Sequence, residues 1–195
     1  TGYTMGGLDG NTNSGFTDIF LVKYNSSGTK QWTKQLGTSS TDYGSGVSTD
    51  SSGNIYVTGS TSGELDGNTH FGDRDIFLVK YNSSGTKQWT QQLGTSLSDW
   101  VSGVSTDSSG NIYVTGRTEG GLDGNTNSGY YDIFLVKYNS SGTKQWTKLL
   151  GTPLVDTGHG VTTDSSGNIF VTGQTWGGLD GNTIYGKNDM FLVKY

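Results

Sequence analysis

A seven-residue segment recurs along this chain at a constant interval of 57 residues. The segment Asp-Ile-Phe-Leu-Val-Lys-Tyr occupies residues 18–24, 75–81 and 132–138, and a close variant occupies residues 189–195. Self-similarity at such a period indicates one supersecondary unit that stacks on copies of itself, because a single unit cannot bury its apolar faces alone. The 195 residues hold about 3.4 of these units, so the fold must be built by repetition.

Four strand signals can be counted within one unit. They lie at residues 46–49, 54–59, 75–81 and 87–93. The third strand is apolar on both faces, with Ile76 and Leu78 on one face and Phe77, Val79 and Tyr81 on the other. A strand of this kind is packed between two sheets. The 33 glycines of the chain oppose helix formation, so the sequence predicts an all-β fold.

Four antiparallel strands with apolar middle strands are what a β-propeller blade requires, because each blade packs face to face against its neighbours. The first strand is short and built of small residues, so we expect it innermost, where blades converge. The fourth strand alternates apolar and polar residues, which suits an outer edge. The prediction is a propeller of four-stranded antiparallel blades. Its predicted divisions are a partial blade at 1–37, full blades at about 45–94 and 102–151, and a partial blade at 159–195.

Two further motifs recur in every full unit and carry a family resemblance. They are Ser-Gly-Asn-Ile-Tyr-Val-Thr-Gly at residues 52–59 and Leu-Asp-Gly-Asn-Thr at residues 65–69. With the aromatic-rich third strand, these motifs make the chain resemble the bacterial seven-bladed beta-propeller repeat (SBBP) family over its whole length. The resemblance implies a propeller fold and an exported, extracellular or cell-surface setting in bacteria. It implies no single activity.

The chain has too few blades to form a typical propeller ring by itself, which predicts a partner. About three blades could close if the terminal strands shared one blade, whereas propellers typically have about four to eight. We therefore expect the ring to be completed by further repeats of a longer chain or by other copies of this chain. The expected contact joins the strand at 189–195 to the strand at 30–36 of another copy, so an isolated chain is not expected to be a stable monomer.

Charge and composition argue against several other partners. The net charge of −5, from 12 basic and 17 acidic residues, argues against nucleic acid, whose phosphates need clustered Lys and Arg. The chain has no cysteine, which leaves neither a disulfide framework nor a thiolate metal site. No apolar run approaches the roughly 20 residues of a membrane helix, so no membrane insertion is expected.

Acidic loop residues recur in every unit and suggest a calcium site. The motif Leu-Asp-Gly-Asn precedes the third strand, and a second Asp follows its Asp nine residues later. Carboxylate and amide oxygens could supply part of a calcium shell. The alternative is that Asp-Gly-Asn only forms a turn with positive φ at Gly. The candidate calcium ligands are Asp9, Asn11, Asp18, Asp66, Asn68, Asp75, Asp123, Asn125, Asp132, Asp180, Asn182 and Asp189.

Nothing in the sequence assembles a catalytic site. The two histidines, His70 and His159, occupy different places in the unit, and neither adjoins an obvious nucleophile. We expect both to face solvent or line a surface. Asn25, Asn82 and Asn139 match the N-glycosylation pattern, although Asn-Ser-Ser-Gly is equally good turn chemistry. No catalytic residue is assigned, and the chain is not expected to be an enzyme.

The units differ mainly in the segments that connect the predicted strands, where propellers usually bind their ligands. Tyr43, Trp100 and Trp176 are the candidate contact aromatics there, for a sugar or a protein partner. The alternative is that they pack between adjacent blades. The leading hypothesis is a non-enzymatic structural or interaction scaffold of an exported bacterial protein, which presents variable loops or assembles with itself. The alternative is a lectin-like propeller with one shallow carbohydrate site per blade.

Overall fold

The computed structural model describes all 195 residues and contains fourteen β-strands in four antiparallel sheets. The first sheet holds β1 (Gly2–Thr4), β2 (Asp18–Tyr24) and β3 (Lys30–Leu36). The second holds β4 (Asp42–Thr49), β5 (Ile55–Thr61), β6 (Asp75–Tyr81) and β7 (Lys87–Leu93). The third holds β8 (Asp99–Thr106), β9 (Ile112–Thr118), β10 (Asp132–Tyr138) and β11 (Lys144–Leu150). The fourth holds β12 (Asp156–Thr163), β13 (Ile169–Thr175) and β14 (Asp189–Lys194).

Within each sheet the strands are neighbours in chain order, so every sheet is a simple meander. The longest loop of each unit joins the second strand to the third and contains a short 3-10 turn in the three later units. These turns are Leu65–Gly67, Leu122–Gly124 and Leu179–Gly181. No helical segment is long and apolar enough to cross a membrane. The all-β fold and the 57-residue unit are confirmed.

Three apolar cores lie between the four consecutive sheets. Ile76 and Leu78 of β6 pack against the third sheet, in one cluster with Ile112 and Phe134. Phe77 of β6 belongs to a different cluster, which the second sheet forms with the first. A third cluster joins the third and fourth sheets. The middle strand therefore buries both faces, as its sequence predicts.

The first strands of neighbouring sheets approach one another closely, β4 against β8 and β8 against β12. Gly46 illustrates why these strands use small residues: a Cβ atom there would lie 3.2 Å from a side-chain carbon of Val104 in the next unit. On the far side of the sheets, the hairpin before the fourth strand contacts the preceding unit. A Cβ atom at Gly85 would lie 3.0 Å from the indole ring of Trp32 in the preceding unit.

The first strand begins earlier than the sequence analysis placed it. β4 starts at Asp42 rather than at residue 46, and β8 and β12 likewise start at residues 99 and 156. Asp42 pairs with Thr61 at the far end of β5, which extends the strand, and the Asp42 amide also donates a hydrogen bond of 2.9 Å to the Thr17 carbonyl in the preceding unit. A register shift between Gly44 and Gly46 then interrupts the ladder. The two full units and the last partial unit thus begin about three residues before the predicted 45, 102 and 159.

The turn residues act as their chemistry predicts. Asn82 holds the hairpin between β6 and β7, where its Oδ1 accepts hydrogen bonds from the amides of Ser84, at 3.1 Å, and Thr86, at 2.9 Å. Gly85 supplies the positive φ of 82°. Asn25 and Asn139 make the same contacts in their own units. Turn geometry is therefore sufficient to explain these asparagines.

Candidate functional site

The Asp-Gly-Asn loops form tight turns at the surface. Asp66 has φ 54° and Gly67 has φ 75°, and the Asn68 side-chain amide donates a hydrogen bond of 2.8 Å to the Leu65 carbonyl. The Asp66 carboxylate accepts a hydrogen bond from the hydroxyl of Thr90 on the fourth strand and forms an ion pair with Lys87 on the same strand. Asp9 forms the same ion pair with Lys30 of β3, and Asp123 forms it with Lys144 of β11.

The second aspartate of each predicted pair lies in a different environment. Asp75 is fully buried at the start of β6, and its Oδ2 accepts hydrogen bonds from the Phe71 amide at 2.8 Å and from Gln92 Nε2 at 2.9 Å. Its Oδ1 has no hydrogen-bond partner, which is also true of Asp18 and Asp132. No group of three or more His, Cys, Asp or Glu side chains is arranged to hold a metal ion. The calcium site stays a prediction.

A third set of aspartates was missed by the sequence analysis. Asp42, Asp99 and Asp156 open the first strands and are fully buried. Asp99 Oδ2 accepts a hydrogen bond of 2.7 Å from the Thr95 amide, and Oδ1 accepts one from the Thr118 hydroxyl. Burial, reinforced by the charge of Asp75, raises the pKa of Asp99 to about 6. The sequence signal for them is that Asp recurs at this position every 57 residues, while the residues next to it differ between units.

The two histidines remain apart. His70 is largely covered, and its Nδ1 lies 3.2 Å from Oδ2 of the buried Asp75. His159 is exposed on the first strand of the fourth sheet. His70 therefore contacts a buried carboxylate, while His159 faces solvent.

The predicted contact aromatics occupy different kinds of position. Tyr43 and Trp100 are the second residues of β4 and β8 and are partly buried, whereas Trp176 follows β13 and is 47% exposed. Tyr43 packs edge-on against Tyr3 with ring centres 4.7 Å apart. Trp100 packs edge-on against Tyr131 at 5.6 Å. Tyr43 and Trp100 therefore each pack against another aromatic ring of the protein.

Two arginines, the only ones in the chain, lie among these rings. The guanidinium carbon of Arg74 is 5.1 Å from the Tyr43 ring centre and 5.7 Å from that of Trp100. The guanidinium carbon of Arg117 is 4.7 Å from the Trp100 ring centre and 4.6 Å from that of Tyr131. We call this alternating series the arginine stripe; its members are Tyr43, Arg74, Trp100, Arg117 and Tyr131.

Strand pairing explains why these residues meet. Trp100 and Arg117 are cross-strand partners in β8 and β9. Arg74 immediately precedes β6 and forms a parallel bridge with Ser98, two residues before Trp100. Arg74 and Tyr131 hold equivalent positions 57 residues apart. The arginine stripe therefore crosses from the second sheet to the third.

Both guanidinium groups keep their hydrogen-bonding capacity free. Neither Arg74 nor Arg117 donates a side-chain hydrogen bond within the protein, and neither forms an ion pair within 4.0 Å. The nearby Glu119 carboxylate instead accepts a hydrogen bond of 3.3 Å from the Ser98 amide. Burial, together with a hydrogen bond to Glu119, raises the pKa of Tyr131. The arginine stripe is therefore a set of preorganised, unpartnered donors.

Comparison with known proteins supports the repeat. A family model described as "Beta-propeller repeat" (SBBP) matches residues 31–66, 88–123 and 145–180. The "Uncharacterized WD repeat-containing protein L264" of Acanthamoeba polyphaga mimivirus is 25% identical over 181 residues, covering 73% of this chain and 13% of that protein. The "Regulatory protein FlaEY" of Caulobacter vibrioides is 29% identical over 177 residues, covering 85% of this chain and 18% of that protein. The chain thus spans less than a fifth of the length of either relative.

Proposed function

This chain belongs to the beta-propeller repeat family, and from this membership we propose that it is a non-catalytic interaction scaffold whose sheets are propeller blades. The observation that carries the proposal is the burial of both faces of the middle strands between consecutive sheets. Each unit is stabilised by the units on either side, so the repeats act together as a rigid support. The positions that differ between units are then free to bind partners.

The close approach of the first strands supports a propeller. Small residues such as Gly46 let β4 and β8 approach, while each fourth strand carries a large Trp side chain, as Trp89 does in β7. In this proposal the first strands line the propeller axis and the fourth strands form its rim. A simple stack of sheets would keep the same separation at both edges.

We further propose that another sheet covers the outer face of the fourth sheet. Met190 and Leu192 of β14 are 92% and 71% exposed. The equivalent Ile76 and Leu78 are each only 1% exposed, because the third sheet covers them. Burying an apolar side chain of this size contributes about 1.5–3 kcal/mol. Further repeats of a longer chain or another copy of this chain would supply the cover.

Light scattering on the 195-residue chain tests this proposal. We expect association at micromolar concentration and its loss in Met190→Glu/Leu192→Glu, because charged side chains cannot be buried on that face. Tyr130→Glu is the control, since Tyr130 is 73% exposed elsewhere on the surface. A well-folded wild-type monomer under these conditions would contradict the covering of this face by another copy.

The proposal that the scaffold is not an enzyme is supported by the placement of its titratable groups. His70 lies beside a buried carboxylate, and the solvent-facing His159 is in another unit. The buried aspartates recur at structural junctions. An exported or cell-surface setting remains a proposal from the family resemblance, and fractionation of the source cells tests it.

Carbohydrate binding is the second candidate function. The observation that favours it is the arginine stripe, in which partly exposed rings and free donors form one surface. Glycans are bound by aromatic surfaces combined with hydrogen-bonding groups. A glycan array separates the two candidates, because a pure scaffold predicts no binding across a broad panel.

A further inference from the structure

We propose that the arginine stripe binds a polysaccharide that carries carboxylate groups, with polyuronates as the chemical class. This inference names the ligand for the carbohydrate-binding candidate and rests on it. The carboxylates would be bound by Arg74 and Arg117, and the three rings of the arginine stripe would hold the guanidinium groups in position.

The geometry of the stacked arginines fits a carboxylate. Arg74 lies between Tyr43 and Trp100, at 5.1 and 5.7 Å from their ring centres. A guanidinium group is planar and presents its N–H donors along its edges. A carboxylate can then accept two parallel hydrogen bonds from one edge, which is the strongest arrangement for this pair. Because the rings already order the side chain, binding loses less conformational entropy.

The charge of the site favours an anion of low charge density. Arg74 and Arg117 form no ion pair within 4.0 Å, and the carboxylate of the neighbouring Glu119 is instead bound to the Ser98 amide and Tyr131. The chain as a whole carries a net charge of −5, which repels a dense polyanion such as nucleic acid. A polyuronate carries at most one carboxylate on each sugar and separates them by neutral hydroxyl groups. Two separate arginines can each bind one of these spaced carboxylates.

The surroundings favour a sugar over an acidic peptide. The segments that lead into the first strands carry exposed or partly exposed hydroxyl groups on Ser39, Ser40 and Ser96, whereas the hydroxyl groups of Thr38 and Thr95 already donate to buried aspartates. The serine hydroxyl groups can bond to sugar hydroxyls. A peptide would gain most from an apolar pocket for an anchoring side chain. The main apolar cavity, about 390 Å³, lies instead around Leu21, Trp32 and Ile55 and contains no stripe residue.

The stripe also occupies positions that the fold leaves free. Its five members come from three positions of the unit, and all three change along the chain. The residues found there are Tyr43, Trp100 and Thr157; Thr17, Arg74, Tyr131 and Asn188; and Tyr3, Ser60, Arg117 and Gln174. The framework does not require an aromatic ring or an arginine at any of them. Their concentration in the second and third units is therefore better explained by binding than by packing.

Binding of polygalacturonate, measured by biolayer interferometry at low and physiological salt, tests the inference. We expect binding that weakens with salt and a loss of about tenfold or more in Arg74→Gln/Arg117→Gln, because the charge-assisted hydrogen bonds to the carboxylates are removed. Arg74→Lys/Arg117→Lys keeps the charge but lacks the planar donors, so we expect an intermediate loss. The control is Lys148→Gln/Lys187→Gln, which removes two exposed charges outside the stripe and should bind as the wild type does.

Other probes separate the alternatives. Neutral dextran should not bind measurably, and poly-L-glutamate should bind more weakly than polygalacturonate. Polygalacturonate binding that is absent, or that is unchanged in both arginine variants, would overturn the inference. Poly-L-glutamate binding of equal strength would replace the sugar with an acidic peptide. Binding of neutral glycans without polygalacturonate would keep the carbohydrate-binding candidate and remove this inference, whereas failure of every glycan would remove both.

Discussion

The hydroxyl group of Thr106 donates a hydrogen bond of 3.0 Å to the carbonyl oxygen of Thr49, the residue one full repeat earlier. Thr163 makes the same bond to the Thr106 carbonyl at 3.3 Å. The ends of the first strands are thus linked in series from unit to unit. These contacts fix how one sheet is placed against the next along the edge where the sheets approach most closely.

Replacing Thr106 tests the contribution of this link. Thr106→Val keeps a β-branched side chain but removes the donor, so we expect a loss of about 1 kcal/mol in the free energy of unfolding. Thr106→Ser keeps the hydroxyl group and should lose less. Urea denaturation of both variants provides the measurement. Equal stability of Thr106→Val and the wild type would mean that the bond does not stabilise the junction.

The fold was largely predictable because its signals are local and repeated. The two apolar faces of β6, with Ile76 on one face and Phe77 on the other, could be recognised from alternation alone. The start of β4 at Asp42 depends on pairing with Thr61 of β5 beyond a register shift at Gly44 and Gly46, and this shift breaks the alternation that marks a strand in the sequence. Arg74 and Arg117 meet only because neighbouring sheets pack together, so the arginine stripe could not be recognised before the packing was known.

Asp99 should make stability depend on pH. Its folded-state pKa of about 6 lies above the ordinary value of 3.8, so its favourable contribution is fully present below pH 4 and is lost as pH rises through 6. Asp99→Asn removes this loss. The Asn side chain can accept a hydrogen bond from the backbone amide of Thr95 and donate one to the hydroxyl of Thr118, and it carries no charge. We expect its melting temperature, relative to the wild type, to rise between pH 4 and pH 7.

The control for this experiment is Asp73→Asn, because Asp73 is an exposed aspartate close in sequence to the same junction. Its melting temperature relative to the wild type should change little over this range. A parallel response of the two variants would show that burial of Asp99 is not the cause.

In the third unit, the residue beside the buried carboxylate differs from its equivalents in the first two units. Gln35 and Gln92 donate hydrogen bonds of 3.1 and 2.9 Å to Asp18 and Asp75, whereas Leu149 stands at the equivalent position beside Asp132. Burial, with the charge of Asp156, raises the pKa of Asp132. Leu149→Gln should supply the missing donor and lower that pKa.

We therefore expect Leu149→Gln to gain stability relative to the wild type as pH rises from 4 to 7. The lost apolar contact of Leu149 does not titrate, so the pH-dependent part isolates the new hydrogen bond. Thermal melts at several pH values measure it. A constant difference between the two proteins across this range would refute the assignment.

The calcium prediction has a direct test. An ion that binds only the folded state stabilises it according to its concentration and affinity, so a chelator should lower the melting temperature and added calcium should restore it. Calcium at Asp66 would have to displace Lys87, and Lys87→Met should therefore strengthen the response. Identical melting curves with and without excess chelator in both proteins would remove the metal from the account.

Distances between spin labels on equivalent strands test the central claim that consecutive sheets fan out as propeller blades. The chain has no cysteine, so labels attach only at introduced sites. One pair is Ser45→Cys/His159→Cys on the first strands, and the other is Gln31→Cys/Gln145→Cys on the fourth strands; both pairs span two repeats at exposed positions. A propeller predicts a clearly longer distance for the fourth-strand pair than for the first-strand pair, as measured by pulsed electron resonance. Equal distances, or a longer first-strand distance, would contradict it.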